Sequence, residues 1–519
     1  MVASVLRLWN LSNYPSGFNA DEADLGYNAY SLLLTGRDEH GHAWPINLES
    51  FGDFKPAGYA YILIPFIKVL GLNEFAVRLP SAIFGILAVY FIYLFVSEVL
   101  DDSSGLIAAG LLAVSPWHLQ FSRGGWEVNV ATTLMLIGVW SIIKWLQNHQ
   151  LKYLIITTVF FVISMYIYQS VRLIAPLMGL GILVMNWRDF WKNSKQSVVT
   201  GIIMLILLLP LGFSIVKSDA GSRLSGVGLL ADLGPINRIN ELRGHYDLVT
   251  PPIYVKILYN KVTAYALQLV YNYLSHFDGN FLFVNGDAIT RSRVPETGLF
   301  YLTDFTFILM GAFILIRSRN RFVSVVWWWL LVSPLAAAIT FQVPHALRAQ
   351  NMVIPMTILA ALGLNEIIKS RKIVIICLVG TVFIWQVARY LHEYYVHYPQ
   401  EYPSAWEYGF KDLVSYVSSV QDKYDKVFVT DKYDQPYILF LFYQKYPPSL
   451  FQGHHILTFR DKFNFSTVRD YDKFHFGVSS PTHRSLVAAT PEEVPKSANV
   501  IKTINFPNGQ PAFKAYEQN

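Results

Sequence analysis

About ten windows of this chain come close to the roughly 20 mostly apolar residues that an α-helix needs to cross the 30 Å hydrocarbon core of a bilayer. They cover approximately residues 79–100, 105–121, 128–147, 153–169, 173–187, 198–216, 302–316, 322–341, 352–368 and 373–391. Only 15% of the 519 residues are Asp, Glu, Lys or Arg, while 53% are hydrophobic. A single core stops growing near about 300 residues and its surface must still carry charge, so a soluble enzyme is ruled out as the default. The chain reads as a multispanning α-helical membrane protein. Pro116, Pro176, Pro210, Pro334 and Pro355 fall inside these windows, where proline marks kinks and helix ends.

Cytoplasmic loops are the basic ones, and the loops here are basic with one parity. Lys144 and Lys152, then Arg188, Lys192 and Lys195, then Arg317, Arg319 and Arg321, then Lys369, Arg371 and Lys372 flank alternate loops. The opposite parity puts outside everything before 79, the turns at 123–129, Arg172 and 343–351, the stretch 217–301, and all that follows 391. The formal charge is 41 − 36 = +5, too small and too diluted for a nucleic-acid binder. Cys377 is the single cysteine, which excludes an intramolecular disulfide and a cysteine-rich metal site.

The expected organisation has three parts. Residues 1–78 comprise the tail of a first helix (Met1 to Trp9) and an external catalytic loop, so the chain is expected to start downstream of its natural N-terminus. Residues 79–391 form a transmembrane bundle with the external loop 217–301, whose Tyr-rich stretch 251–277 reads as a helix lying in the interface. Residues 392–519 are more polar. There the run 408–420 reads as a helix and 426–431 as a buried strand, giving a small soluble α/β domain.

The first loop mixes acids and bases: Asn19-Ala-Asp21-Glu22-Ala-Asp24, then Thr35-Gly-Arg37-Asp38-Glu39-His40, then Asp53-Phe-Lys55-Pro56. A purely structural reading exists, because Asn19 is a good helix N-cap and acids in a first turn complement the helix dipole. Arg78, Arg123, Glu127, His345 and Arg348 fall on the same outer face. A carboxylate pair with several cations suits a lipid-borne phosphate: the carboxylate supplies a base and the cations hold the phosphate.

The order Asn19-Ala-Asp21-Glu22, Arg37-Asp38-Glu39-His40, Lys55-Pro56, Arg78-Leu-Pro80, Ser115-Pro-Trp-His118 and Ser122-Arg123 resembles the GT-C glycosyltransferases of the protein O-mannosyltransferase and lipid A aminoarabinose transferase group. The resemblance runs over most of the membrane region, with the Asp-Glu pair its most specific element. It implies a GT-C-like membrane enzyme that takes a sugar from a polyprenyl-phosphate carrier and gives it to an acceptor protein, lipid or glycan. It further implies Asp21 as the general base with Glu22 as its partner, and Lys55 near the donor phosphate, although Ala57 stands where the family often has a second proline. Arg78, Arg348 and His345 are assigned to the donor phosphate as well, and Arg123, Glu127 and Arg37 to the substrate cavity.

These residues permit direct displacement at the anomeric carbon with inversion, since phosphate is already a good leaving group and needs no strong acid, unlike the two-carboxylate hydrolases. A divalent metal is compatible with phosphate chemistry, but no ligand motif calls for one: His454 and His455 are adjacent and would point apart on a strand, with His475 and His483 further along. His118 reads as a hydrogen-bonded core residue or a cavity liner, and Trp327 to Trp329 as an interfacial anchor. A transporter would carry ionisable residues within its spans and two related halves, and neither is visible. A lipid-linked glycan ligase or polymerase would share the architecture without needing the Asp-Glu pair. A structural or sensory protein would use the tail as a binding module.

Overall fold

The computed structural model describes the chain except for residues 218–227, 246–251, 319, 434, 461–465, 479–480, 482–483 and 519. Arg319, His483 and part of the 217–301 loop therefore lie outside the described residues. The first eleven helices are α1 (Val2–Leu8), α2 (Ala20–Thr35), α3 (Gly58–Leu70), α4 (Glu74–Val99), α5 (Asp102–Val114), α6 (Pro116–Arg123), α7 (Glu127–Asn148), α8 (Leu151–Ile167), α9 (Val171–Met185), α10 (Trp187–Lys192) and α11 (Ser194–Lys217). Among the described residues five helices are long and apolar enough to cross a membrane: α4, α7, Ser194–Ser214 of α11, Gln350–Lys369 and Ile373–Glu401. Shorter apolar helices pack between them.

Two expected spans are broken. The window 105–121 divides into α5 and α6 at Ser115, whose extended backbone precedes Pro116 and whose hydroxyl accepts the His118 N–H. The window 322–341 ends as a helix at Val332 and resumes only over Leu335–Ala338, after Pro334. In both places proline lacks the N–H that would continue the ladder and crowds the preceding turn. Helices Leu302–Arg317 and Val353–Lys369 touch backbone to backbone, because a Cβ on Gly311 would lie 1.8 Å from the Leu359 carbonyl and one on Gly363 2.0 Å from that of Phe307. Such small-residue contact is how helices associate where no hydrophobic drive separates them from lipid.

Trp327 and Trp328, expected with Trp329 as an interfacial anchor, are partly buried against the apolar core. Trp329 is buried, and the Trp328 indole donates to the Leu177 carbonyl of α9 at 2.9 Å, so the run packs into the bundle.

The loop expected before residue 79 is more structured than its composition suggests. It holds α2, the antiparallel hairpin β1 (Asn47–Ser50) and β2 (Asp53–Pro56), and the apolar α3. The C-terminal part carries a seven-stranded sheet in the order β4 (His455–Leu457), β5 (Val468–Tyr471), β6 (Phe474–Phe476), β3 (Lys426–Val429), β7 (Ser485–Ala489), β9 (Pro511–Gln518), β8 (Val500–Asn505). β3 is parallel to both neighbours and the other pairs are antiparallel. Helix Pro436–Gln444 lies against α2, with the Phe18 and Phe442 rings 4.6 Å apart. One continuous apolar core joins the bundle to this domain.

Candidate active site

Asn19 caps α2 as its sequence requires. Its side chain accepts the Glu22 N–H at 3.1 Å, and the Glu22 carboxylate accepts the Asn19 N–H at 3.4 Å, a reciprocal box that satisfies two donors at the helix start. Gly36, in the left-handed region, ends the helix. Along α2, Asp21 and Asp24 are three residues apart and share a face, whereas Glu22 is turned about 100° away.

That rotation separates the expected catalytic pair. Glu22 is fully buried, and its carboxylate accepts from Arg78 Nε at 2.8 Å and Nη2 at 3.0 Å and from the Gly125 N–H at 2.7 Å. Arg78 spends its other donors on the carbonyls of Leu11, Pro15 and Gly17. Arg78, expected at the donor phosphate, is thus a buried clamp that ties α4 to the start of the chain and to α2. Arg123 is a second clamp rather than a cavity residue: it donates to the carbonyls of Leu6, Trp9 and Tyr14 and to the Tyr394 hydroxyl. Arg37 is exposed past the far end of α2 and bonds the Gly41 carbonyl, so the length of a 16-residue helix, about 24 Å, lies between it and Asp21. His118 is buried between Arg7, at 2.8 Å, and Ser122.

Asp21 has different company. Its side chain is 39% exposed, with Lys55 Nζ 3.9 Å from one oxygen and Arg291 Nη2 3.7 Å from the other. Lys55 is brought there by the β1–β2 hairpin, in which it pairs with Leu48. The two turn residues, Phe51 and Gly52, both have positive φ (57° and 75°), as a tight hairpin turn requires. The C-terminal domain touches this turn, since the Ser466 N–H donates to the Phe51 carbonyl at 3.1 Å.

The Lys55 ammonium sits 2.5 Å from Asp24, which is buried and also accepts from Asn28 at 3.0 Å. Burial alone would lower the lysine pKa; the charges of Asp24, Asp21 and Glu127 outweigh it and hold the ammonium protonated, above its ordinary value. Glu127, at the start of α7, is therefore within electrostatic reach of the same centre.

Arg291 was not anticipated. It stands in a short turn, Thr290–Ser292, whose carbonyls are held by Gln120 of α6 at 2.8 Å and by the Tyr398 hydroxyl at 2.8 Å. Nothing in the sequence of the 217–301 loop singles it out; its role depends on that loop folding back over α6. Asp24 was legible, being three residues from Asp21 on a capped helix.

His345 is buried with Nδ1 3.7 Å from Asp287, whose carboxylate also accepts the Ala346 N–H at 2.6 Å. Burial first, then Arg348, His276 and Arg291, push the His345 pKa well below the usual histidine range. These surroundings favour the neutral imidazole over the phosphate-binding cation expected. Arg348 donates to Thr340 at 2.8 Å and is near enough to His345 to act on it together with Arg291. Asp21, Lys55, Arg291, His345 and Arg348 thus form one connected polar region, from which Arg37, Arg78 and Arg123 are excluded. His454 bonds the Gln452 carbonyl and His455 meets His40 at 3.2 Å.

Residues 54–213 match the family model for dolichyl-phosphate-mannose-protein mannosyltransferase. No curated protein matches the chain in sequence. Among solved structures, ArnT from Cupriavidus metallidurans bound to undecaprenyl phosphate is 11% identical over 99% of this chain and 96% of that one, with a TM-score of 0.58. ArnT in the apo state gives 10% identity, the same coverage and a TM-score of 0.55. The apo oligosaccharyltransferase of Archaeoglobus fulgidus gives 12% identity and a TM-score of 0.51 over 85% of this chain, which spans 62% of that larger one.

Proposed function

We propose that this chain, a GT-C-type glycosyltransferase by its fold and by the family match over 54–213, transfers a hexose of the mannose type from a polyprenyl-phosphate donor to an acceptor hydroxyl. The observation that carries the reading is the Asp21 carboxylate: partly exposed, hydrogen-bond-competent, and flanked on opposite oxygens by Lys55 and Arg291. ArnT, the structural neighbour, was solved with undecaprenyl phosphate, and the family match is to a dolichyl-phosphate-mannose enzyme; both support a lipid-phosphate donor.

In this mechanism Asp21 takes the proton of the acceptor hydroxyl as its oxygen bonds to the anomeric carbon. The bond from that carbon to the phosphate oxygen breaks, and polyprenyl phosphate leaves with the electron pair. Lys55 and Arg291 stabilise the charge that grows on the departing phosphate, with Arg348 behind them. Asp24 keeps Lys55 charged and positioned. A single displacement inverts the anomeric configuration. The positive-inside distribution of Lys and Arg supports an extracytoplasmic position for this site and the C-terminal domain.

The test uses the full chain in membrane vesicles, measuring transfer of labelled mannose from polyprenyl-phosphate mannose into the lipid-free fraction. Asp21→Asn should lower transfer by about 10²–10⁴-fold, the usual contribution of a positioned base, with an unchanged melting temperature. Wild-type transfer rates in a correctly inserted Asp21→Asn protein would overturn the assignment.

A further inference from the structure

Between α7, α8, α9 and α11 lies a cavity of about 580 Å³, the size of a small-molecule site. Its wall is apolar, formed by residues such as Phe161, Met165, Leu180, Leu183, Met204 and Leu208. The few hydroxyls along it are already committed: Thr157 and Thr158 donate to the Tyr153 and Leu154 carbonyls, and Ser197 and Thr200 to those of Phe190 and Gln196. With the hydroxyl protons spent on carbonyls, the wall offers water only a few hydroxyl oxygens as acceptors, and a water needs two to four polar partners to stay in such a space. Two glycines hollow the wall. Gly179 on α9 and Gly201 on α11 both line the cavity, and a Cβ on either would meet nothing within 4 Å.

The cavity reaches one end of the bundle at Phe190 and Ser197, the corner formed by α10 and the start of α11. That corner is the basic one. Arg188, Lys192 and Lys195 are exposed there, beside exposed Trp187 and Trp191, and Lys152 stands exposed at the start of neighbouring α8. The acid in the corner, Asp189, is engaged by Arg321 at 3.5 Å and His149 at 3.9 Å, which leaves the other cations uncompensated by it. Tryptophans with cations at the end of an apolar helix pair are the signature of the headgroup level.

We propose that this cavity is a binding site for one acyl chain of an anionic phospholipid, whose phosphate is held by Arg188, Lys192 and Lys195. An apolar space between spans is filled by hydrocarbon, and the charge at its mouth selects the headgroup. The headgroup end of the site lies opposite Asp21, because α8 runs from the basic corner at Lys152 to Ile167, beside which a Cβ on Gly58 would touch the Tyr166 carbonyl next to the Lys55 hairpin, while the apolar cavity extends along α8 as far as Met165.

The full chain is placed in nanodiscs of equal phosphatidylglycerol and phosphatidylcholine, and lipid retained after extraction is read by native mass spectrometry. Wild-type protein should retain phosphatidylglycerol over phosphatidylcholine by about tenfold or more. Gly179→Leu with Gly201→Leu, which fills open space with better helix formers, should abolish retention of both lipids. Arg188→Gln with Lys192→Gln and Lys195→Gln, all at exposed positions, should bring the preference close to one while an acyl chain is still held. The triple variant decides the matter if the leucine pair fails to fold. Equal retention of the two lipids by wild type, or a preference untouched by the triple variant, overturns the proposal. So does displacement of phosphatidylglycerol by added undecaprenyl phosphate, which would make the cavity a carrier site.

Discussion

Asp21 and Glu22 are adjacent, carry the same functional group and have unlike surroundings, because one residue of helix turns a side chain by about 100°. Glu22 faces Arg78 and the Gly125 N–H inside the protein, and removing its charge leaves a buried guanidinium facing an amide. Glu22→Gln should therefore destabilise the protein by about 3–5 kcal/mol, the usual consequence of breaking one side of a buried pair, read as a lower melting temperature and less folded protein. Asp21→Asn, at a partly exposed position, should leave melting unchanged. Arg291 makes the complementary case. Its guanidinium, about a quarter exposed, meets Asp21 at 3.7 Å, so Arg291→Gln should lower kcat/KM for the lipid donor by about 10²-fold, the usual cost of one lost donor to a developing anion, again without a loss of stability. A melting shift as large as that of Glu22→Gln would place Arg291 among the structural clamps instead.

At the scale of elements, the site depends on a hairpin and a loop that the C-terminal domain holds in place. Beyond α2, Glu39 is buried and accepts from the Tyr437 hydroxyl at 3.0 Å, while His40 Nε2 lies 3.3 Å from the same carboxylate oxygen. His40 Nδ1 faces His455 Nε2 at 3.2 Å, and His455 in turn donates through Nδ1 to the Phe451 carbonyl at 3.1 Å. Burial opposes a charge on His40, yet the contact and charge of Glu39, aided by Glu49 and Asp38, raise its pKa from 6.5 to about 9; burial lowers that of His455. The pair is thus a charged donor beside a neutral acceptor. Because the folded pKa of His40 lies above the unfolded value, its contribution is complete below pH 6.5 and is lost as the pH rises through about 9. The melting difference between wild type and His40→Gln should be largest at pH 6 and shrink towards pH 10. A constant difference across that range would show that His40 acts through packing alone.

For the whole molecule, orientation rests on the sorting of cations to one end. Cys377 is the sole cysteine and is exposed, so a Cys377→Ser background permits mapping with a membrane-impermeant maleimide. Ser419→Cys, on the exposed face of helix Phe410–Val420, should be labelled from outside intact cells. Lys195→Cys, in the basic corner, should be labelled only after permeabilisation. The reverse pattern would invert the topology and move the Asp21 site to the cytoplasmic side.

Long apolar runs, prolines and the Asn19 cap made most of the membrane helices and the start of α2 legible, because these are local properties: a bilayer demands length and hydrophobicity, and a capping box needs four consecutive residues, here Asn19 to Glu22. The same locality flagged Pro116 and Pro334 without telling which prolines break a helix, since Pro80 and Pro176 remain inside helices. Among the charges, the sequence by itself determined which residue types gather on alternate loops, and the resemblance to the GT-C glycosyltransferases pointed to Asp21 and Lys55. Only the tertiary structure decided which charges are spent on carbonyls and which gather around Asp21. Arg78 and Arg123 are consumed by the backbone of the first 17 residues, and Arg291 arrives from a loop 270 residues downstream of Asp21. An arginine's function follows from the acceptors that surround it, and those acceptors are assembled from segments far apart in the chain.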